Sequence, residues 1–392
     1  MKFNKWTLGL AAVGVVSLAS AARADEKVSQ LNTALSNTTI SGYVDVGAQY
    51  QNAGIAGLYG VDVGAGDSFS LNTVDIALDK PLDATPFSAG YHIELWTGAS
   101  NNQLGTGSLI RQAYLALGTT IGGQEIDWKI GVWDTIIGYE GLTSANNPNY
   151  THSYGFFIEP TTHTGVQANY KVNDNVSLQA GVADDSFAGG AYSAAINGAP
   201  SPSAGGSLHH PTLMGAITLT APESFGPLNG ATLTVGDIYT AAPATANTLT
   251  PPASNATTGG FGDSVYAGVT VPTPISALKF GGAFDYLDGD AAGLGAGHIW
   301  VAGIYGTYQA TDKLSFDLRG ETYGQTAPIL DASKHGEEFT ATAQYALWAN
   351  VLSRVELRWD HADDANVFAS NANGKSLERN AVFAGAQLIY TF

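Results

Sequence analysis

The chain has 392 residues, no cysteine, and 34 acidic residues against 16 basic ones, a formal charge of −18. Such a surface repels nucleic acid, and without cysteine no disulfide holds the fold together. Hydrophobic residues make up 44% and charged residues only 13%, about half the charged share of a soluble domain, yet past the N-terminal segment no run of 18 apolar residues occurs, which excludes transmembrane helices.

Residues 1–24 carry Lys2 and Lys5, an apolar core from Trp6 to Leu18 and the small-residue site Ala22-Arg23-Ala24. That is the pattern of a secretory signal peptide, too short in its core to span a membrane, with cleavage expected after Ala24. Its removal leaves 13 basic residues against the same 34 acidic ones, a formal charge of −21. Residues 25–38, with Val28, Leu31 and Leu35 at rough helical spacing, are expected to form a short periplasmic lead-in.

From Thr39 the period changes to two. Ile40, Val44, Val46, Ala48 and Tyr50 share one face of the first segment, and Ser41, Tyr43, Asp45 and Gln49 share the other. Similar segments recur at 72–80, 88–97, 109–117, 125–133, 161–172, 176–183, 212–220, 231–239, 263–271, 278–287, 298–309, 313–323, 337–347 and 351–361. The last, 380–392, ends on Tyr390 and Phe392 with nothing after it. Sixteen alternating segments predict an all-β chain: a transmembrane, antiparallel, up-and-down barrel of about 16 strands over residues 39–392.

The connections test that reading. In a barrel with both termini on one side, long loops and short turns alternate. Residues 173–175, 272–277, 310–312 and 348–350 are brief, whereas 184–211, 240–262, 324–336 and 362–378 are long and rich in Gly, Ser, Asn and Pro. The stretches 79–87 and 221–230 are long for turns and put one hairpin of the count in question. Aromatics fall into two bands, as lipid boundaries require: Trp128, Tyr170, Phe280, Tyr308, Phe316, Tyr345, Tyr390 and Phe392 near one rim, and Tyr50, Tyr286, Trp300, Phe339 and Trp359 near the other. The aromatic ending resembles the C-terminal signal read by the barrel-assembly machinery of Gram-negative outer membranes, which would make that machinery a partner.

A 16-stranded barrel is too wide for side chains to fill and keeps an aqueous lumen, so function is read from the inward face. Arg354, Glu356, Arg358 and Asp360 form one inward stripe, with Asp317, Arg319 and Glu321 nearby and Lys129 inward on the fifth strand. One reading of this interleaving is a mutually satisfied structural ladder. The other involves residues 134–159, which leave the fifth strand with Asp134, Glu140, Glu159 and the aromatics Tyr139, Tyr150, Tyr154, Phe156 and Phe157. So many aromatics imply a loop that packs inside the barrel. Its acids, Asp134, Glu140 and Glu159, would then face Lys129, Asp317, Arg319, Arg354, Glu356 and Arg358 across a constriction.

Four stretches carry a resemblance to a known family: FSLNTVDIALDKPLD at 69–83, KIGVWDTIIGYEGLTSANNPNYTHSYGFFIEPTTHTG at 129–165, SRVELRWDHADD at 353–364 and AVFAGAQLIYTF at the end. They resemble the β-barrel porin-2 (OmpL-like) family, over nearly the whole mature chain. The resemblance implies a channel in the outer membrane of a Gram-negative-type envelope, without naming a substrate; trimers enter by analogy with general porins of similar size.

The function expected is passive diffusion of small hydrophilic solutes and ions with a preference for cations, in contact with outer-membrane lipid. Two alternatives stay open. Inward Trp96, Tyr114 and Trp133 would suit a sugar-specific channel, and Asn/Ser/Thr-rich loops would suit a surface or structural envelope protein. No catalysis and no cofactor are expected. Eight histidines show no metal-ligand spacing, His209-His210 lies in a Pro/Ser/Gly loop, and Asp288-Gly289-Asp290 lacks the bidentate Glu that calcium loops use.

Overall fold

A segment with one oily and one polar face needs lipid on one side and water on the other, and the computed structural model places a strand at each alternating segment. It describes residues 37–54, 67–98, 109–183, 211–241, 261–288, 297–326, 330–370 and 377–392. The expected signal peptide, the lead-in up to residue 36 and His209-His210 lie outside the described residues, as does Gly289-Asp290.

Among the described residues, sixteen strands form one closed antiparallel barrel. They are β1 (Thr39–Gln51), β2 (Ser68–Lys80), β3 (Ser88–Thr97), β4 (Ile110–Ile121), β5 (Gln124–Asp134), β6 (Thr162–Lys171), β7 (Val176–Ala183) and β8 (Thr212–Thr220). The second half comprises β9 (Thr232–Ala241), β10 (Phe261–Pro272), β11 (Leu278–Asp288), β12 (His298–Gln309), β13 (Leu314–Gln325), β14 (His335–Trp348), β15 (Val351–Ala362) and β16 (Asn380–Thr391). Each strand pairs with its neighbours in sequence, and β16 closes on β1 with Val46 opposite Leu388. The Phe392 and Gly42 backbones exchange hydrogen bonds of 3.0 and 3.1 Å at the seam, so no strand edge is left for lipid to meet. Residues 37–39 and Phe392 lie at that end of the barrel.

Turns at the terminal end are short. The two stretches that put the strand count in doubt both remain turns: 81–87 simply links β2 to β3, and the other holds a 3-10 helix, Glu223–Leu228. At the opposite end, Ala53–Gly54, Phe368–Ser370 and Leu377–Glu378 from two loops form a small three-stranded sheet.

Outward positions read Val46, Leu71, Ile76, Leu318, Val355 and Leu357, all exposed, while Asp45, Asp75, Glu94, Asp285, Asp317, Glu338 and Asp360 are buried inside. Leu318→Arg, near mid-depth on the lipid face of β13, is expected to lower the free energy of folding into lipid vesicles by about 2–4 kcal/mol. Urea titration of folding into vesicles measures it; no loss would mean that this face does not meet hydrocarbon.

Candidate functional site

Residues 135–161, between β5 and β6, turn back into the lumen. An irregular segment buried there must find partners for its own N–H and C=O groups, and the charged stripe on the facing wall supplies them. The Glu356 carboxylate accepts from the Tyr150 and Thr151 amides at 2.5 and 2.9 Å, and from the Thr151 and Thr342 hydroxyls. Glu321 accepts from the amide of Tyr154 at 2.5 Å. Tyr154 opens a short helix, α1 (Tyr154–Ile158), whose cap Ser153 accepts from the Phe156 N–H at 3.1 Å. A helix N-terminus has free amides, and a carboxylate satisfies them.

The arginines serve the opposite groups. Arg319 donates to the Thr151 carbonyl at 2.7 Å and to Glu140 Oε1 at 2.7 Å, while its Nε reaches Glu338 at 2.8 Å. Arg354 donates to the carbonyls of Ser144 and Asn147 and to the side chains of Gln344 and Gln387. Arg358 donates to the His152 carbonyl at 2.6 Å, pairs with Asp360 at 2.7 Å and lies over the Tyr154 ring. All three guanidinium groups are fully covered by the loop. Alternating Arg and Glu along β13 and β15 therefore matches alternating C=O and N–H along the loop.

Of the residues singled out by sequence, Glu140, Arg319, Arg354, Glu356 and Arg358 come together, but as a dock beneath the loop, with Glu140 bonded directly to Arg319. Asp317 belongs to the wall alone, accepting from Thr307 and Gln344 at 2.6 Å. Glu159 lies buried on the loop's return arm; burial and then the neighbouring Asp285 carboxylate push its carboxyl well above the usual carboxylate range. Asp134 and Lys129 stand on the other side of the lumen, Asp134 bonded to Arg111 at 2.6 Å.

Small residues in the wall receive the loop's aromatics. Tyr150 packs edge-on to Phe383, accepts at its hydroxyl oxygen from Nδ2 of Asn72 at 3.1 Å, and lies so close to Gly47 that a Cβ there would overlap its oxygen. Gly47→Val is expected to expel Tyr150 and cost about 1–3 kcal/mol by overpacking, whereas Tyr150→Phe costs about 1 kcal/mol, the worth of one hydrogen bond. Thermal unfolding in detergent ranks the two; equal losses would mean that Tyr150 is not seated there.

Two partners of this arrangement escape a period-two reading. Arg111 and Asn72 are the extra residues of β-bulges, since Glu94 pairs with Gln112 and Leu95 with Ile110, and Asp45 pairs with Thr73 and Val46 with Leu71. A bulge shifts the alternation by one, so consecutive residues, Arg111 with Gln112 and Asn72 with Thr73, both turn inward and are buried. Only consecutive polar residues inside an otherwise alternating strand, RQ and NT, hint at it.

One cavity of ≈270 Å³ lies beside the loop, and another of the same volume lies away from it, nearer the terminal end. Both are lined by Tyr114 and Lys129, one toward the 81–86 turn and the other between the loop and the β3–β7 wall. The inward aromatics suited to sugar stacking are engaged: Trp133 is fully buried in an apolar cluster with Ile136 and Ile137, and Trp96 lies under Arg111. Tyr114 already carries stacked His92 and the Lys129 ammonium, 4.9 Å from its centroid.

The family model described as "Putative beta-barrel porin-2, OmpL-like" matches residues 37–392. Among curated proteins none matches the chain in sequence. Solved structures share the fold. The outer membrane channel DcaP of Acinetobacter baumannii has a TM-score of 0.58 at 16% identity, covering 91% of this chain and 97% of that one. A trimer form of Vibrio cholerae OmpT, an outer membrane protein, has a TM-score of 0.57 at 13% identity, covering 91% and 99%. Salmonella typhi OmpF, in complex with daunomycin, has a TM-score of 0.57 at 11% identity, covering 91% and 98%.

Proposed function

We propose, from the premise that the chain belongs to the β-barrel porin-2, OmpL-like family, that it is an outer-membrane porin through which small hydrophilic solutes and ions diffuse passively, cations preferentially. The observation that carries this reading is the charge of the walls left open by the loop. Asp79, Asp83, Glu125 and Asp127 line the cavity at the terminal end against Lys80 and Lys129, and the partly exposed Asp134 lines the second, where buried Glu140 is paired with Arg319 and burial holds Glu159 toward its neutral form. The three arginines that would offset them are covered by the loop. Low-dielectric walls of one sign concentrate counter-ions, so permeating cations are favoured over anions. The terminal end would face the periplasm, and three barrels would associate, as the trimer form of Vibrio cholerae OmpT does.

Reversal potential in a KCl gradient across a planar bilayer tests this. A potential of the sign set by potassium is expected. A chloride-selective potential overturns the preference, and stable insertion without conductance overturns the channel itself.

A further inference from the structure

We propose that the cavity between the loop and the β3–β7 wall is a binding station for a small zwitterion carrying both an ammonium and a carboxylate, of the α-amino acid class. The argument starts from the orientation of three amides. Asn169 donates through Nδ2 to the backbone carbonyl of Asp127 at 3.3 Å, and a carbonyl can only accept. Its Oδ1 is therefore turned the other way, where it accepts from Nε2 of both Gln167 and Gln179 at 2.8 Å. Both glutamine amides are thereby fixed with nitrogen toward Asn169 and oxygen away from it.

Those two oxygens, Gln167 Oε1 and Gln179 Oε1, are buried without a hydrogen-bond partner, and both residues line the cavity; Gln167 is only 1% exposed. A buried acceptor left unpaired costs about 1–3 kcal/mol, so the pair calls for a ligand rich in N–H donors. The Asp134 carboxylate, 40% exposed in its side chain and held from behind by Arg111, lines the same cavity and adds negative charge for a cationic donor.

Lys129 supplies the complementary half. It lies directly opposite Gln167 across the β5–β6 pair, where facing Cβ atoms are about 4.5–5.5 Å apart. Its ammonium rests on Tyr114 and forms no ion pair with any carboxylate among the described residues. A cation that feels Asp134 and Asp79 without forming an ion pair with either, beside two oriented acceptors, matches a solute whose carboxylate meets Lys129 while its ammonium meets Gln167, Gln179 and Asp134. A neutral polyol would satisfy the acceptors and leave Lys129 unmatched; a simple anion would do the reverse.

This deepens the channel reading and rests on it for solute access. The test uses the full mature chain, with L-alanine as probe and propionate, propylammonium and glycerol as single-feature controls. L-alanine is expected to block the ionic current saturably, with each control about tenfold weaker. Lys129→Met and Gln167→Leu should each weaken alanine block about tenfold. Controls that block as well as alanine, or glycerol blocking best, overturn the proposal. Conductance with no saturable block by alanine overturns it while leaving the channel intact. A barrel that does not conduct would sink the channel reading instead, and calorimetric titration of the detergent-solubilised barrel with L-alanine would still decide the binding station.

Discussion

Excising residues 137–159 and joining the ends with a short Gly-Ser linker is expected to raise single-channel conductance at least about twofold, because a barrel of this strand number holds a water-filled lumen when nothing occupies it. The loop now fills the side of the lumen next to β11–β16: Tyr154 and Ile158 belong to an apolar cluster with Leu287, Ile299, Val301 and Tyr323 of the wall. The barrel should survive the excision. Its sixteen strands close without the loop, and Arg319–Glu338 and Arg358–Asp360 are wall-to-wall pairs that persist when the loop is gone. Cation preference should weaken as well, since excision removes Glu140, the loop acid paired with Arg319, and uncovers Arg319, Arg354 and Arg358. Conductance steps and reversal potentials recorded side by side check both. An unchanged step would place the loop outside the current path.

The second large effect belongs to Arg319. Arg319→Ala leaves Glu140 and Glu338 buried without their shared cation and strips a donor from the Thr151 carbonyl. Removing one partner of a buried pair typically costs about 3–5 kcal/mol, and a loss of that size is expected in detergent unfolding. Arg319→Lys should recover only part of it, because a single ammonium cannot serve Glu140, Glu338 and Thr151 in three directions as a planar guanidinium does. Much of the cost should vanish in the loop-excised barrel, where Glu140 is absent and water reaches Glu338. If Arg319→Ala costs the same with and without the loop, the arginine braces the wall and does not dock the loop.

The same residues show where sequence reasoning reaches its limit. Interleaved charges two apart on β13 and β15 read either as a self-satisfied ladder or as one wall of a constriction. The structure combines features of both: Arg358–Asp360 and Arg319–Glu338 are ladder contacts, while Arg354 and Glu356 spend their hydrogen bonds on the loop backbone. The aromatic content of residues 134–159 correctly implied an inward-packed loop, because aromatics need covering wherever they lie. It could not give the face on which the loop lands. That depends on hollows at Gly47 and beside Phe383, formed by strands far apart in sequence.

Period-two alternation by itself determined the strands, their number, the lipid face and the parity of the connections, because each of these follows from neighbours along the chain and from the oily solvent outside. The tertiary structure decided what the lumen does. Bulges at Asn72 and Arg111 invert the local phase, and contacts between residues more than 150 apart cover the arginines and leave Lys129, Gln167 and Gln179 lining a cavity beside the loop. Alternation records which side of a strand is wet; it carries no information about which wet side chains a distant loop will take for itself.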